Sequence, residues 1–220
     1  MTRYGMAIDI DRCIGCQACA TACKIANNLP KDITYNVVYT KTNHDWDGSF
    51  GTAVVKGALA NDNAGGTFPN CILEFMPIQC QHCENPACLH VCPTGATYKD
   101  ESGRVLIDYS RCIGCRTCMA ACPYNARSFN WNEPVRAPDF NWGDKEVPVR
   151  GKGVVEKCTM CKERTDRGQV PQCVNCCPVR ARHFGDLDDP ESEVSRLIRD
   201  KKARVLLEEK GTRPQVYYFE

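Results

Sequence analysis

The sequence predicts an α+β fold assembled from small duplicated modules with long loop insertions, and three observations carry that expectation. Residues 7 to 23 match residues 106 to 122 at ten of seventeen positions, including Ile8/Ile107, Asp9/Asp108, Arg12/Arg111 and Gly15/Gly114, so the chain contains an internal duplication. Eighteen cysteines gather almost entirely into four tight groups, separated by segments with only short stretches of helical or strand periodicity. The 220 residues, 43% of them hydrophobic and 25% charged, suffice for one large or two small domains with an ordinary core.

In a short secreted protein so many cysteines would suggest a disulfide scaffold. Here the spacing argues otherwise, because thiols two residues apart on a tight loop cannot readily span the usual disulfide geometry. Metal is the better reading. The first group is Cys13, Cys16, Cys19 and Cys23; the second is Cys80, Cys83, Cys88 and Cys92. The third is Cys112, Cys115, Cys118 and Cys122, followed by Pro123, and the fourth is the stretched set Cys158, Cys161, Cys173 and Cys177. Cys71 and Cys176 are left over and read as free thiols.

The third group has the CxxCxxCxxxCP spacing of bacterial ferredoxins. Three thiolates on one tight loop reach three corners of a 4Fe-4S cube, and loop amides turned inward donate hydrogen bonds to sulfur. Gly15 and Gly114 give that loop its positive φ or close approach. The fourth cysteine lies at the following short helix and points away, so it ligates a neighbouring cluster and the groups come in reciprocating pairs. Groups two and three are joined by "TGATYKDESGRVLIDYSR", which reads as a hairpin, and form a central unit over 72–129. Groups one and four remain as an outer unit, 1–26 with 157–186; residues 27–71 and 130–156 are insertions and 187–220 a C-terminal helix and extended tail.

The expected ligand sets are therefore Cys80, Cys83, Cys88 with Cys122; Cys112, Cys115, Cys118 with Cys92; Cys13, Cys16, Cys19 with Cys177; and Cys158, Cys161, Cys173 with Cys23. Cys177 is preferred to Cys176 because it completes CxxxC from Cys173 and precedes Pro178, as Cys92 precedes Pro93 and Cys122 precedes Pro123. An alanine follows each of these cysteines by four positions: Ala96, Ala126 and Ala181. Zinc is disfavoured by four such groups, and covalent haem by the lack of CxxCH. His44, His82, His90 and His183 lack ligand spacing and read as surface or hydrogen-bonding residues.

The formal charge is +1. Four oxidised clusters with their thiolates would take it to about −7, at about two negative charges each. Arg12, Lys24, Arg111, Arg116, Lys157, Lys162, Arg180 and Arg182, all near ligand cysteines, are then candidates for offsetting cluster charge, although solvated surface positions are the ordinary expectation for such residues. No nucleophile motif, phosphate loop or dinucleotide fingerprint occurs, so the chain is expected to be non-catalytic and no nucleic-acid partner is expected. No targeting segment and no apolar run of about 18 residues is present, which predicts a soluble chain carried to its site by partners. In the two insertions, "ITYNVVYT" reads as a strand and the rest, with Trp131 and Trp142, as loop that meets partners. Asp189 is expected to cap a helix opening at Pro190, with Val194, Leu197 and Ile198 as its packing stripe.

From "CIGCQACATAC" through "CQHCENPACLHVCP" and "CIGCRTCMAACPY" to "KCTMCKERTDRGQVPQCVNCCPVRARHFGDLDDP", the chain resembles the four-cluster electron-transfer subunit of the dimethyl sulfoxide reductase family of molybdenum enzymes. "GDLDDPESEVSRLI" is similar to subunits found with polysulfide, thiosulfate, tetrathionate and arsenate reductases, and catechol dehydroxylases use related partners. The resemblance implies a large catalytic subunit holding bis-molybdopterin guanine dinucleotide and a further 4Fe-4S cluster, and a quinol-linked membrane anchor or cytochrome on the other side. It implies membrane association through those partners, at the cytoplasmic face or in the periplasm after co-export. Cys115 stands where nitrate-reductase relatives have Trp, which implies four complete 4Fe-4S clusters. A free-standing polyferredoxin is the alternative reading.

Overall fold

A computed structural model describes residues 2–41, 65–67, 69–72, 74–135 and 143–220. His44 and Trp142 lie outside the described residues, as does the side chain of Cys71. In chain order the elements are β1 (Tyr4–Asp9), α1 (Ala18–Ala26), β2 (Asn36–Lys41), β3 (Gly65–Thr67), β4 (Asn70–Ile72), β5 (Glu74–Gln79), α2 (Ala87–His90), β6 (Thr97–Lys99), β7 (Val105–Ile107), α3 (Thr117–Ala120), β8 (Arg127–Phe129), β9 (Val155–Lys157), α4 (Lys162–Thr165), α5 (Gln172–Asn175), β10 (Arg182–Asp186), α6 (Glu193–Asp200) and β11 (Val216–Phe219). The mixture of short helices and small sheets is α+β, as the sequence predicts.

Each cysteine group lies between a strand that leads into it and a strand that leaves it. The strand leaving one group pairs with the strand entering the next: β2 with β5, β6 with β7 and β8 with β9, all antiparallel. The last leaving strand, β10, returns to the first entering strand, β1, and closes the cycle. The expected hairpin after group two is thus β6–β7, with Thr97 opposite Ile107. β11 adds to the free side of β1 in parallel, Met6 opposite Val216, so β1 is the central strand of a three-stranded sheet. That position explains why Met6, Ala7 and Ile8 are all buried rather than alternating in and out.

The main core joins Met6, Ile8, Val38, Met76, Ile78, Tyr124, Val216 and Tyr218, and Cys19, Cys83 and Cys173 lie among them. Burying aliphatic side chains of this size contributes about 1.5–3 kcal/mol each. The core is therefore wrapped around the cysteine groups instead of standing beside them.

The C-terminal helix starts later than the sequence suggests. The Asp189 carboxylate accepts the Glu191 N–H at 2.9 Å, and the Ser192 N–H is donated to the Asp189 carbonyl at 3.2 Å, which makes a tight turn where a first helical turn was expected. Ser192 is the cap, its hydroxyl accepting the Ser195 N–H at 3.2 Å. The expected stripe packs inward, Val194, Leu197 and Ile198 against Ala7, Leu187 and Phe219. The tail does not run straight into β11; Glu208–Lys210 form a 3₁₀ turn first.

Candidate metal centres

The repeated loops fold alike because the same positions need the same unusual backbone. Gly15 and Gly114 have φ of 67° and 69°, and the residues two further on, Gln17 and Arg116, also occupy the left-handed region at 61° and 62°. A Cβ on Gly114 would run into the carbonyl oxygen of Gly153, and one on Gly15 into the Phe75 ring. After these turns a helix begins, placing Cys19 and Cys118 on its first turn; Cys23 lies a turn later in the longer α1, and Cys122 just beyond the end of the short α3.

The thiols converge in four sets. Cys92, Cys112, Cys115 and Cys118 line one small cavity, called site 1. Cys80, Cys83, Cys88 and Cys122 line a second, site 2. Cys13, Cys16, Cys19 and Cys177 line another, site 4, and Cys176 is not in its wall. Burial pushes the Cys23 thiol well above the ordinary range, and the neighbouring thiols of Cys158, Cys161 and Cys173 push it further; these four compose site 3. The thiols of three expected sets thus each share a cavity, and those of the fourth lie close enough to act on one another.

The donor chemistry fits an iron–sulfur group. Among the described residues no cluster of His, Cys, Asp or Glu closes tightly enough to hold a single metal ion. One tetrahedral zinc would require thiolates about 3.8 Å apart, at a bond length of about 2.3 Å. Here the sulfurs instead ring cavities, and N–H groups point at them: Met160 N–H to Cys158 Sγ at 3.4 Å, Gln172 N–H to Cys161 Sγ at 3.4 Å, and Ala181 N–H to Cys177 Sγ at 3.3 Å. The repeated alanines acquire a role, since the Ala96 and Ala126 amides likewise bond the sulfurs of Cys92 and Cys122. Such donors stabilise the negative charge of a ligated sulfur.

Against the effect of burial, hydrogen bonds bring Cys92 down to about 7, whereas burial raises half of the sixteen thiols, Cys83 and Cys161 to about 12 each, with thiol neighbours adding to the effect. Ligation must therefore supply the free energy that removes their protons. Cys176, outside the sets, is raised to about 11, first by burial and then by Cys173 and Cys19.

The four sites follow one another. Burial and then Arg127 act most strongly on Cys118, but Cys88 of site 2 also raises it, so sites 1 and 2 adjoin. After burial, Cys80 of site 2 is the main influence on Cys158 of site 3. After burial and the opposing charge of Arg182, Cys19 of site 4 is the next influence on Cys173 of site 3. This places the sets in the order 1, 2, 3, 4; Cys115 and Cys16 at the two ends are exposed, and none of the thiols of sites 2 and 3 is.

A 4Fe-4S dicluster domain model matches residues 71–138 and 145–187, and a 4Fe-4S binding domain model matches residues 10–36. A protein assigned as a dimethyl sulfoxide reductase iron-sulfur subunit in Halobacterium salinarum is 48% identical over all of this chain and 79% of its own length. The chain belongs to this iron–sulfur subunit family. A selenate reductase subunit of Mesobacillus selenatarsenatis is 39% identical over 97% of this chain and 70% of the relative. The iron-sulfur cluster-binding subunit of menaquinone reductase from Nitratidesulfovibrio vulgaris is 38% identical over 99% and 88%. As a member of the family the chain is an electron-transfer subunit of an oxidoreductase complex, and not its catalytic part.

Of the basic residues singled out in the sequence, Lys157 and Arg182 are buried. Arg12, Arg111, Arg116 and Arg180 are exposed, and Lys24 and Lys162 are partly so. Arg116 stacks 4.5 Å above the Trp131 ring, while Arg111 donates to the Thr94 carbonyl at 2.6 Å. His90 and His183 make hydrogen bonds, to Asn85 at 2.9 Å and Glu193 at 2.8 Å, whereas His82 is wholly buried and its Nδ1 accepts the Val105 N–H at 3.1 Å. The sequence reading missed Arg127, which donates to Cys88 Sγ at 2.9 Å. A signal was present: the Cys-Pro-x-x-Ala pattern continues to Arg in both groups three and four, giving Arg127 and Arg182.

Proposed function

We propose that the chain holds four 4Fe-4S clusters, one at each of sites 1 to 4 with the sixteen cysteines named above as ligands, and relays single electrons along them. When bound, each cluster takes up and releases one electron. The chain's own residues hold that group, shield the two middle sites from water and direct N–H groups at its sulfurs. Four thiol sets, each adjoining the next, with exposed thiols only in the first and last, are the observation that carries this reading. The partner at one end is a large catalytic subunit with bis-molybdopterin guanine dinucleotide and a further 4Fe-4S cluster; at the other it is a quinol-linked membrane anchor or a cytochrome. The name of the menaquinone reductase relative supports a quinone-linked partner. No helix among the described residues is long and apolar enough to cross a membrane. Membrane association in this reading is through the partners, at the cytoplasmic face or in the periplasm. Exposed Ile113, Trp131 and Val135 near site 1, and Ile14 at site 4, supply apolar docking surface at the two ends.

Anaerobically purified complex should contain about 16 irons per copy of this chain, four per cluster, beyond those of its partners. Electron paramagnetic resonance of reduced material should resolve four interacting centres. A colourless chain, or one with two centres, would end this reading.

A further inference from the structure

Five basic side chains are buried to 3% exposure or less: Arg104, Arg127, Arg150, Lys157 and Arg182. Two have carboxylate partners. Arg104 bonds Asp100 and Asp166, both at 2.7 Å, and Arg150 bonds Glu156 at 3.0 Å. The other three have no carboxylate partner among the described residues. Arg127 donates to Thr97 Oγ1 at 3.3 Å and to Cys88 Sγ; Arg182 donates to Gln79 Oε1 at 3.1 Å and Asn36 Oδ1 at 2.9 Å; Lys157 donates to the carbonyls of Cys158 and Val105. All these partners are neutral apart from sulfur. A buried cation with no anion is costly, so the balancing charge must come from what lies beside it.

What lies beside each is a pair of thiol sites. Arg127 lines the cavities of both site 1 and site 2. Arg182 lines the cavity of site 4 and its guanidinium hydrogen-bonds the Cys173 sulfur of site 3. Lys157 is joined to the carbonyl of Cys158 of site 3 and to the carbonyl of Val105, and Val105 lines the cavity of site 2. Three gaps separate four sites, and each contains one unpaired buried cation.

We infer that Arg127, Lys157 and Arg182 are positioning charges for electron transfer, one for each gap, which raise the reduction potentials of the two flanking clusters and screen their mutual repulsion when both are reduced. This rests on the four-cluster reading. A fixed positive charge between two groups that each gain an electron favours the reduced form of both, and acts strongly because the interior screens it weakly. Arg127 and Arg182 occupy the same place in the repeat, five residues after the last cysteine of groups three and four and first in the strand that leaves. Lys157 stands last in β9, immediately before Cys158.

The test is a redox titration of the intact complex followed by electron paramagnetic resonance, comparing Arg127→Gln, Lys157→Met and Arg182→Gln with Arg127→Lys, Lys157→Arg and Arg182→Lys. Each neutral variant should lower the potentials of its two flanking clusters by at least a tenfold change in the one-electron equilibrium, 59 mV, and leave the remaining two in place. The charge-retaining variants should restore them. Unchanged potentials, a uniform shift of all four, or an equal shift in both kinds of variant would overturn the inference. If a neutral variant loses a cluster, a charge-retaining variant with full iron and native potentials supports the inference, and its failing as well overturns it. A wild-type complex with fewer than four centres from this chain would instead defeat the four-cluster reading itself, before any potential is compared.

Discussion

Sites 1 and 2 are built from residues 80 to 122, whereas sites 3 and 4 draw their cysteines from residues 13 to 23 and 158 to 177. The motifs are alike, but the chain closes them differently. The inner pair needs only a local hairpin, β6–β7, while the outer pair needs both ends of the protein brought together through β1, β10 and β11. Duplication therefore explains the grouping of the thiols at both places but the stability at neither. In the outer pair, clusters and long-range sheet must hold one another up, because the entropy lost in closing loops over such separations is offset only once both have formed.

The largest effect should come from removing a buried anchor of the outer pair. Cys173→Ser should lose the cluster at site 3, disturb site 4 through Cys19, and lower the apparent Tm of the anaerobic protein by about 10 °C or more. Cys115→Ser, at the exposed edge of the inner pair, should lose one cluster with a fall of less than about 5 °C. Iron content and a thermal scan check both, and equal falls would erase the distinction between the pairs. Next in size is a pair of glycine substitutions. Gly114→Ala would set a methyl against the Gly153 carbonyl, which the backbone cannot withdraw, and should cost about 3 kcal/mol. Gly15→Ala meets only the Phe75 ring, a side chain able to rotate, and should cost about 1–2 kcal/mol. Here the order is reversed, the inner pair being the more sensitive; denaturant midpoints of the two variants would show whether it is.

These contrasts also mark what the sequence can express. The thiol sets, the glycine turns and the β6–β7 hairpin follow from spacing and turn chemistry within a few residues, and each is legible. The cycle of strand pairs is not, because strands of three residues such as Thr97–Lys99 and Val155–Lys157 are too short to show a period. Arg127 escaped for a related reason, since its sulfur partner Cys88 lies far away in sequence and an isolated arginine is ordinarily a surface residue. The helix cap was misplaced by three residues because Asp189 and Ser192 are both good caps, and only the turn geometry around Pro190 decides between them. Local signals thus specify the sites, and tertiary pairing specifies which charges they share.

Two smaller substitutions address the outer pair's dependence on the end of the chain. Val194 is fully buried against Ala7 and Phe219, so Val194→Ala should cost about 2 kcal/mol through the lost methyl groups and the cavity left behind. Ser192→Ala should cost about 1 kcal/mol. Its hydroxyl accepts the Ser195 N–H and donates to the Asp186 carbonyl at 2.6 Å, tying the start of α6 to the last residue of β10. Ser192→Asp keeps the acceptor for the helix and loses the donor for the strand, and should recover part of the loss. The informative measurement is where hydrogen exchange quickens. If the two pairs close independently, amides of α6 and β10 should exchange faster in Ser192→Ala while those of β6 and β7 stay at their native rate. Equal acceleration in β6–β7 would mean that the cycle of strand pairs opens as one unit, and the inner hairpin would then owe its persistence to the chain ends as much as the outer pair does.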